Sequence, residues 1–213
     1  MSGIIDSKIE DYLKAIYRDT SDEVQHEMEA LAEERSFPIV GPLVGRTLGV
    51  LARAIGARRV FELGSGYGYS ALHFARAVGP DGTVHCTELD RSNIERARAF
   101  LSRAGVWDRV TFHEEEARAA LRRMGGVWDI IYNDIDKEGY PEVVALAHEH
   151  LRVGGLLIAD NVLWSGRILE GKDDGKPETA GIKEFTRRLF AHEGFLATVD
   201  PTRDGVAIAL KVA

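Results

Sequence analysis

Three apolar runs in this sequence stop on residues that can do chemistry. In "WDIIYNDIDKEGY", Ile130, Ile131 and Tyr132 are followed by Asp134, Asp136 and Lys137. In "LLIADNVLW" the run ends on Asp160 and Asn161. In "VFELGSGYGYSA" it ends on Glu62, and Gly64, Gly66 and Gly68 follow. Oxygen donors with no His or Cys beside them suit a hard cation such as Mg2+. A cation disfavours the ammonium form of a nearby lysine, so the neutral amine of Lys137 is a candidate base. Glycines after a strand permit positive φ and close approach of a ligand to the backbone. Plainer readings stand beside these. Lys137 also reads as a solvated or ion-paired residue, Asp160–Asn161 as a strand-ending turn, and the glycines as a tight turn without a ligand.

The elements that would position these groups follow from periodicity. The first 56 residues read as helical. Ser7 and Glu10 have capping-box spacing ahead of Ile9, Leu13, Ile16 and Tyr17. Thr20 and Glu23 repeat it ahead of Val24, Met28 and Leu31, and Pro38 closes that helix. A third helix carries Val44, Leu48, Leu51 and Ile55, with Gly56 as its stop. From residue 57 to 213, short apolar runs alternate with helical patterns at 69–78, 91–104, 116–124, 141–151 and 182–192. That alternation predicts an α/β fold with a mostly parallel sheet covered by helices on both faces. "FLATVDP" and "GVAIALKVA", joined by "TRDG", predict a terminal antiparallel hairpin, making seven strands in all. "SGRILEGKDDGKPETA", residues 165–180, reads as a mobile loop. The whole chain is expected to be one domain, with residues 1–56 as a helical extension of the core.

Parallel strands bring their C-terminal ends to one edge, where open α/β sheets bind ligands. Asp134, Asp160 and Asn161 therefore converge above the glycine turn. The dinucleotide pattern GxGxxG fails there, because Tyr69 replaces the third glycine. Glu88 lies at the end of the next strand, suited to both hydroxyls of a ribose. Glu62 at the mouth of the first strand suits an ammonium better than a pyrophosphate. A nucleoside carrying an amino acid fits these constraints better than a dinucleotide.

Taken together, "ELGSGYGYSA", "TELD", "NDIDKEGY" and "ADNVLWSG" resemble the cation-dependent class I O-methyltransferases, the family of the catechol and caffeoyl-CoA enzymes. The resemblance spans essentially the whole chain. It implies a Rossmann-like class I methyltransferase fold, S-adenosylmethionine as methyl donor and Mg2+ as cation, with Ca2+ or Mn2+ as substitutes. It implies Asp134, Asp160 and Asn161 as metal ligands and Lys137 as catalytic base. Candidate cofactor contacts are Glu62, Gly64, Ser65, Ser70 and Glu88. The resemblance adds Ala117, in the run "EEEA" where the family contacts adenine, and the backbone of Val40. Asp136 has two readings, a cap on the following segment or a partner of the cofactor's amino group. Trp164 either stacks on a flat acceptor or packs its loop; with Asp134, Lys137 and Asn161 it completes the candidate acceptor site.

The expected acceptor is a small aromatic with vicinal hydroxyls. A phenol ionises near pH 10, so a cation on its oxygen would supply the missing phenolate. A hydroxylated tRNA base is the alternative acceptor. A net charge of −7, from 27 basic and 34 acidic residues, argues mildly against it. Arg91, Arg96, Arg98 and Arg103 read as a solvated helix face, and His148 and His150 as surface residues. A nicotinamide-dependent oxidoreductase and a non-catalytic cofactor-binding module are the remaining rivals. The single cysteine, Cys86, fits a reducing compartment. No apolar run is long enough for a bilayer, and "MSGIIDSKIEDYLK" has no apolar signal core, so a cytoplasmic protein is expected. The resemblance also implies a homodimer formed through the N-terminal helices.

Overall fold

The computed structural model describes residues 6–213. The reading of "MSGII" at the start of the chain lies outside the described residues. Three helices come first: α1 (Ser7–Arg18), α2 (Glu23–Arg35) and α3 (Gly41–Ala54). Then follow β1 (Arg59–Leu63), α4 (Tyr69–Val78), β2 (Thr83–Thr87), α5 (Arg91–Arg103), β3 (Val110–His113), α6 (Ala117–Met124) and β4 (Trp128–Asn133). The chain ends with α7 (Tyr140–His150), β5 (Leu151–Ala159), α8 (Pro177–Ala191), β6 (Phe195–Asp200) and β7 (Val206–Lys211).

Among the described residues the seven strands form one sheet in the order β3-β2-β1-β4-β5-β7-β6. β1 pairs in parallel with both β2 and β4, while β7 runs antiparallel to β5 and β6. The predicted mixed sheet with its terminal hairpin is therefore the observed one. The strand order reverses between β1 and β4, and at such a switch point a crevice opens beyond the strand ends.

Alternation along the strands sorts the core into two layers. Val60, Val84, Ile130, Tyr132 and Ile158 pack with α2, α3, α4 and α5 through Met28, Leu48, Leu72 and Leu101. Phe61, Leu63, Ile131 and Leu157 pack with α6, α7 and α8 through Leu121, Val143 and Phe185. The first face also carries Glu62, so this acid stands at the end of an apolar stripe.

Local expectations needed adjusting at several ends. Asp6, not Ser7, caps α1, and its side chain accepts from the Lys8 N–H at 2.8 Å. Asp22, not Thr20, caps α2 and accepts from Gln25 N–H at 3.0 Å. A carboxylate at the cap position suits the positive end of a helix better than a hydroxyl does. α8 begins at Pro177, inside the stretch read as loop, because proline is well placed in a first helical turn. His148 lies at the surface but is half-buried there, with its ring 4.4 Å from His192 and 5.5 Å from Phe195. His150 is half-buried too, with a ring nitrogen 3.3 Å from the Gly126 carbonyl. Among the described residues no helix is long and apolar enough to cross a membrane.

Candidate active site

The ends of β1, β4 and β5 are stitched together by backbone hydrogen bonds. Asp134 N–H donates to the Leu63 carbonyl at 2.9 Å, and Asp160 N–H to the Asn133 carbonyl at 3.2 Å. Because Asn133 pairs with Ala159, Asp134 and Asp160 leave the sheet side by side. Asn161 follows with φ 58°, a left-handed backbone that asparagine tolerates better than most side chains. The glycine turn closes over this point. Gly64 has φ 80°, and a Cβ there would stand 2.7 Å from the Asp134 carbonyl oxygen, so the turn accepts glycine alone.

Two carboxylates so placed repel when both are ionised. Burial and the charge of Asp134 push the Asp160 carboxyl up to about 7. Burial also raises Asp134, opposed by the ammonium of Lys137. Lys137 is buried, and its Nζ donates to Asp134 Oδ1 at 2.8 Å, to the Ile135 carbonyl at 3.3 Å and to the Tyr140 hydroxyl at 2.8 Å. An ammonium has three N–H donors, and these partners use all of them. Tyr140, fully buried, in turn donates to the Asp160 carbonyl at 3.0 Å, with the Asn133 carbonyl at 3.3 Å. The donors here are oxygens, two of them on like-charged carboxylates, one buried and one half-buried, so the residues fit a divalent cation on chemical grounds. Asn161 follows directly in the chain, and its backbone N–H holds the Asp160 carboxyl down against the rise from burial.

The first strand presents a second acidic position. Glu62 is fully buried; the Ser70 hydroxyl donates to one oxygen and the Cys86 thiol lies 3.5 Å from the other. Burial pushes its carboxyl up to about 8, and the Ser70 and Cys86 hydrogen bonds pull against that rise. Thr87 fastens the turn: its hydroxyl donates to the Glu62 carbonyl at 3.1 Å and accepts from Gly64 N–H at 3.0 Å. Ser65 is buried, and among the described residues its hydroxyl has no hydrogen bond. Glu88 stands where the next strand ends, with one carboxylate oxygen accepting from the Leu89 and Asp90 N–H groups at 2.9 and 2.8 Å.

Other candidates are placed less simply. Ala117 is buried as the first residue of α6, whose cap Glu116 accepts from Ala119 N–H at 2.8 Å. Asp136 occupies a cap position, but its side chain makes no cap hydrogen bond and is exposed, which removes the capping reading. Val40 is buried, and its carbonyl already accepts from Arg203. Trp164 is held by its loop: the indole N–H donates to Thr179 Oγ1 at 3.0 Å, and Arg167 stacks 4.3 Å from the ring centroid. The packing role is therefore present already. Asn133 is wholly buried, and its amide has no hydrogen bond among the described residues. Nothing in the structure explains that choice of residue.

Sequence reasoning missed Tyr140, Thr87 and Arg203. Tyr140 stands three residues after Lys137, a spacing that lets the two side chains meet. The other two act across long sequence separations and leave no local signal.

The family of O-methyltransferases matches this chain over residues 5–212. The chain belongs to that family. A catechol O-methyltransferase from Mycobacterium tuberculosis is 36% identical over 172 residues, covering 78% of this chain and 77% of that protein. The crystal structure of an O-methyltransferase from Streptomyces achromogenes, involved in tomaymycin synthesis and in complex with SAM, has a TM-score of 0.79 at 29% identity. The alignment covers 91% of each chain. An O-methyltransferase from Bacillus cereus, in complex with SAH, has a TM-score of 0.80 at 26% identity, covering 92% of this chain and 97% of that one.

Proposed function

We propose that this O-methyltransferase moves the methyl group of S-adenosylmethionine onto one hydroxyl of a small aromatic with vicinal hydroxyls, in the presence of a divalent cation. The observation that carries this reading is the pair Asp134 and Asp160, side by side at the sheet edge with Lys137 bonded to the first. Relatives named as catechol O-methyltransferases support the acceptor class. When bound, the donor supplies an electrophilic methyl group and the cation, most simply Mg2+, a Lewis acid for the acceptor oxygens.

The chain's own residues do the rest. Asp134, Asp160 and Asn161 would hold the cation, and with Asp134 given over to it Lys137 would lose its counter-ion and give up one proton to solvent, becoming a neutral amine. The two N–H groups of the neutral amine would stay on Tyr140 and the Ile135 carbonyl, leaving its lone pair to take the proton of the reacting hydroxyl. Glu62 would take the cofactor's ammonium, and Glu88 its ribose hydroxyls. Gly64, Ser65 and Ser70 would contact the cofactor from the turn, together with Val40 and Ala117. Asp136, exposed and without a cap bond, is open to the cofactor's amino group. Trp164, with one ring face under Arg167, offers an edge to a flat acceptor.

The tRNA alternative loses support on α5. Arg103 pairs with Glu27 at 2.6 Å, Arg91 lies near Glu95 and Glu114, and Arg98 sits over Trp107. A homodimer through the N-terminal helices is supported by Ile9, Tyr12 and Ile16, which are 52%, 66% and 42% exposed along α1. Light scattering at micromolar concentration tests it. The decisive experiment for the reaction is a methylation screen of catechols, flavonoids and bulk tRNA with and without Mg2+. Metal-dependent product from catechols alone is the expected outcome. Product from tRNA alone, or from catechols in excess chelator, overturns the reading.

A further inference from the structure

Arg203 stands in the turn between β6 and β7, with left-handed backbone (φ 54°) and an exposed side chain. Its Nη1 crosses to the segment before α3 and donates to the carbonyls of Ile39, at 2.8 Å, and Val40. Gly41 is shaped to this contact. It has φ 70°, and a Cβ there would stand 2.9 Å from Arg203 Nη1. The neighbouring Asp204 is tied to the opposite wall. Leu163 N–H donates to its carbonyl at 2.8 Å, and Ser165 N–H donates to its carboxylate. Arg203 is thereby fixed on the rim between the loop after Asn161 and the segment of Val40.

This guanidinium is only half used. Both of its hydrogen bonds leave from Nη1. The Nε–H and Nη2–H groups form the other edge, the one that reads a carboxylate with two parallel hydrogen bonds. Among the described residues that edge has no hydrogen bond and no carboxylate at ion-pair distance. Its charge nonetheless reaches the site, pulling in a small way against the burial that raises the carboxyl groups of Asp134, Asp160 and Asp204. Two other cations near this edge are committed. Lys137 has spent its donors on Asp134, Ile135 and Tyr140, and Arg167 lies 3.6 Å from Asp174 and over Trp164.

We propose that Arg203 is a specificity-determining residue, whose Nε/Nη2 edge binds a carboxylate carried by the acceptor, so that catechol acids are preferred over neutral catechols. The proposal rests on the catechol reading above. An acceptor whose two hydroxyls sit at Asp134 and Asp160 would direct a ring substituent outward, toward the rim where Arg203 is anchored. The anchoring matters, because a guanidinium already held by two carbonyls loses little freedom when it takes an anion.

The test compares protocatechuate, methylcatechol and dopamine as acceptors, with saturating S-adenosylmethionine and Mg2+. Acceptor Kd is measured in parallel by calorimetry on enzyme loaded with S-adenosylhomocysteine and Mg2+. The wild type is expected to favour the acid over the neutral catechol by about ten-fold or more, chiefly in KM and Kd. Arg203→Gln removes that preference, Arg203→Lys keeps part of it, and Arg203→Glu turns it toward dopamine. If Arg203→Gln folds poorly, the Lys and Glu variants still read the charge dependence. Equal use of acid and neutral catechol by the wild type overturns the Arg203 assignment and leaves the catechol reading standing. So does an acid preference that survives Arg203→Gln. Methylation of none of the three by the wild type overturns the catechol reading, and this inference with it.

Discussion

At the end of β1, Glu62 is fully buried and faces a hydroxyl and a thiol; at the end of β5, Asp160 is as deeply buried and faces another carboxylate. Both acids are pushed up, to about 8 and about 7, and burial is the main cause for each. The second causes differ. Neutral donors stabilise the ionised form of Glu62, and the charge of Asp134 raises its carboxyl less than they lower it, whereas for Asp160 the charge of Asp134 is the largest effect after burial. A lone buried acid with neutral partners is satisfied by one proton or one monocation. A pair of acids sharing one lysine asks for more positive charge than the protein supplies. The first position thus suits the ammonium of an amino acid, and the second a divalent ion.

The sharpest way to break this comparison is to remove one member of the pair. Asp160→Ala is expected to lower metal-dependent methyl transfer by about a thousand-fold or more, the scale of a lost metal-stabilised charge. Binding of S-adenosylmethionine, measured by calorimetry, should change little. Asp160→Asn adds a control on the repulsion itself. At pH 8, above the value of about 7 to which Asp160 is pushed, its buried charge opposes that of Asp134, so in chelator the Asn variant should melt higher than wild type. An Asp160→Ala enzyme that stays active in chelator removes the cation from the mechanism.

Lys137 carries the next largest effect. Lys137→Ala is expected to depress turnover by about a hundred-fold or more, the usual contribution of a positioned base, with a smaller change in cofactor affinity. Steady-state kinetics across pH 6 to 9 provide the check. The wild-type rate should rise with pH as the acceptor proton becomes easier to remove, and the Ala variant should lose the enzyme's part of that rise. Identical profiles would leave Lys137 as a counter-ion to Asp134 and nothing more.

These groups differ in how plainly they stood in the sequence. Asp134, Asp160 and Asn161 were legible because each ends a short apolar run, and parallel strands must bring such ends to one edge. The terminal hairpin was legible for the same kind of reason, two strands across a turn too short for a crossover. Helix starts were less so: Ser7 and Thr20 satisfied a spacing rule, but Asp6 and Asp22 took the caps. Thr87 and Arg203 were not legible at all. Thr87 holds Gly64 across 23 positions and Arg203 holds Val40 across 163, and no periodicity encodes contacts of that range.

Glu62 tests the other side of the comparison through pH. A carboxyl raised in the folded state contributes most to stability while protonated, below its ordinary value near 4.5, and loses that contribution as pH climbs to about 8. The cofactor-free wild type should therefore melt at falling temperature across that window. Glu62→Gln lacks this component, so its melting curve should fall less steeply and exceed wild type by at least ~2 °C at pH 9. The same substitution should weaken S-adenosylmethionine binding by about ten-fold, since a charged hydrogen bond is replaced by a neutral one. A parallel pH slope in the variant would mean that Glu62 is already ionised without its ligand.

The smallest effect expected comes from Tyr140, which joins the two halves of the acidic pair. Its hydroxyl accepts from Lys137 at 2.8 Å and donates to the Asp160 carbonyl at 3.0 Å. Tyr140→Phe keeps the ring against Phe185, 5.3 Å away between centroids, so packing survives while the hydroxyl is lost. Stability should drop by about 1 kcal/mol, the net worth of a buried hydrogen bond. Turnover should fall by about five- to ten-fold with KM for the acceptor nearly constant, because the lysine loses the partner that holds it once Asp134 turns to the cation. A drop confined to KM would place Tyr140 among the groups that shape the acceptor site. A drop confined to melting temperature would mean that the Ile135 carbonyl alone keeps Lys137 aligned.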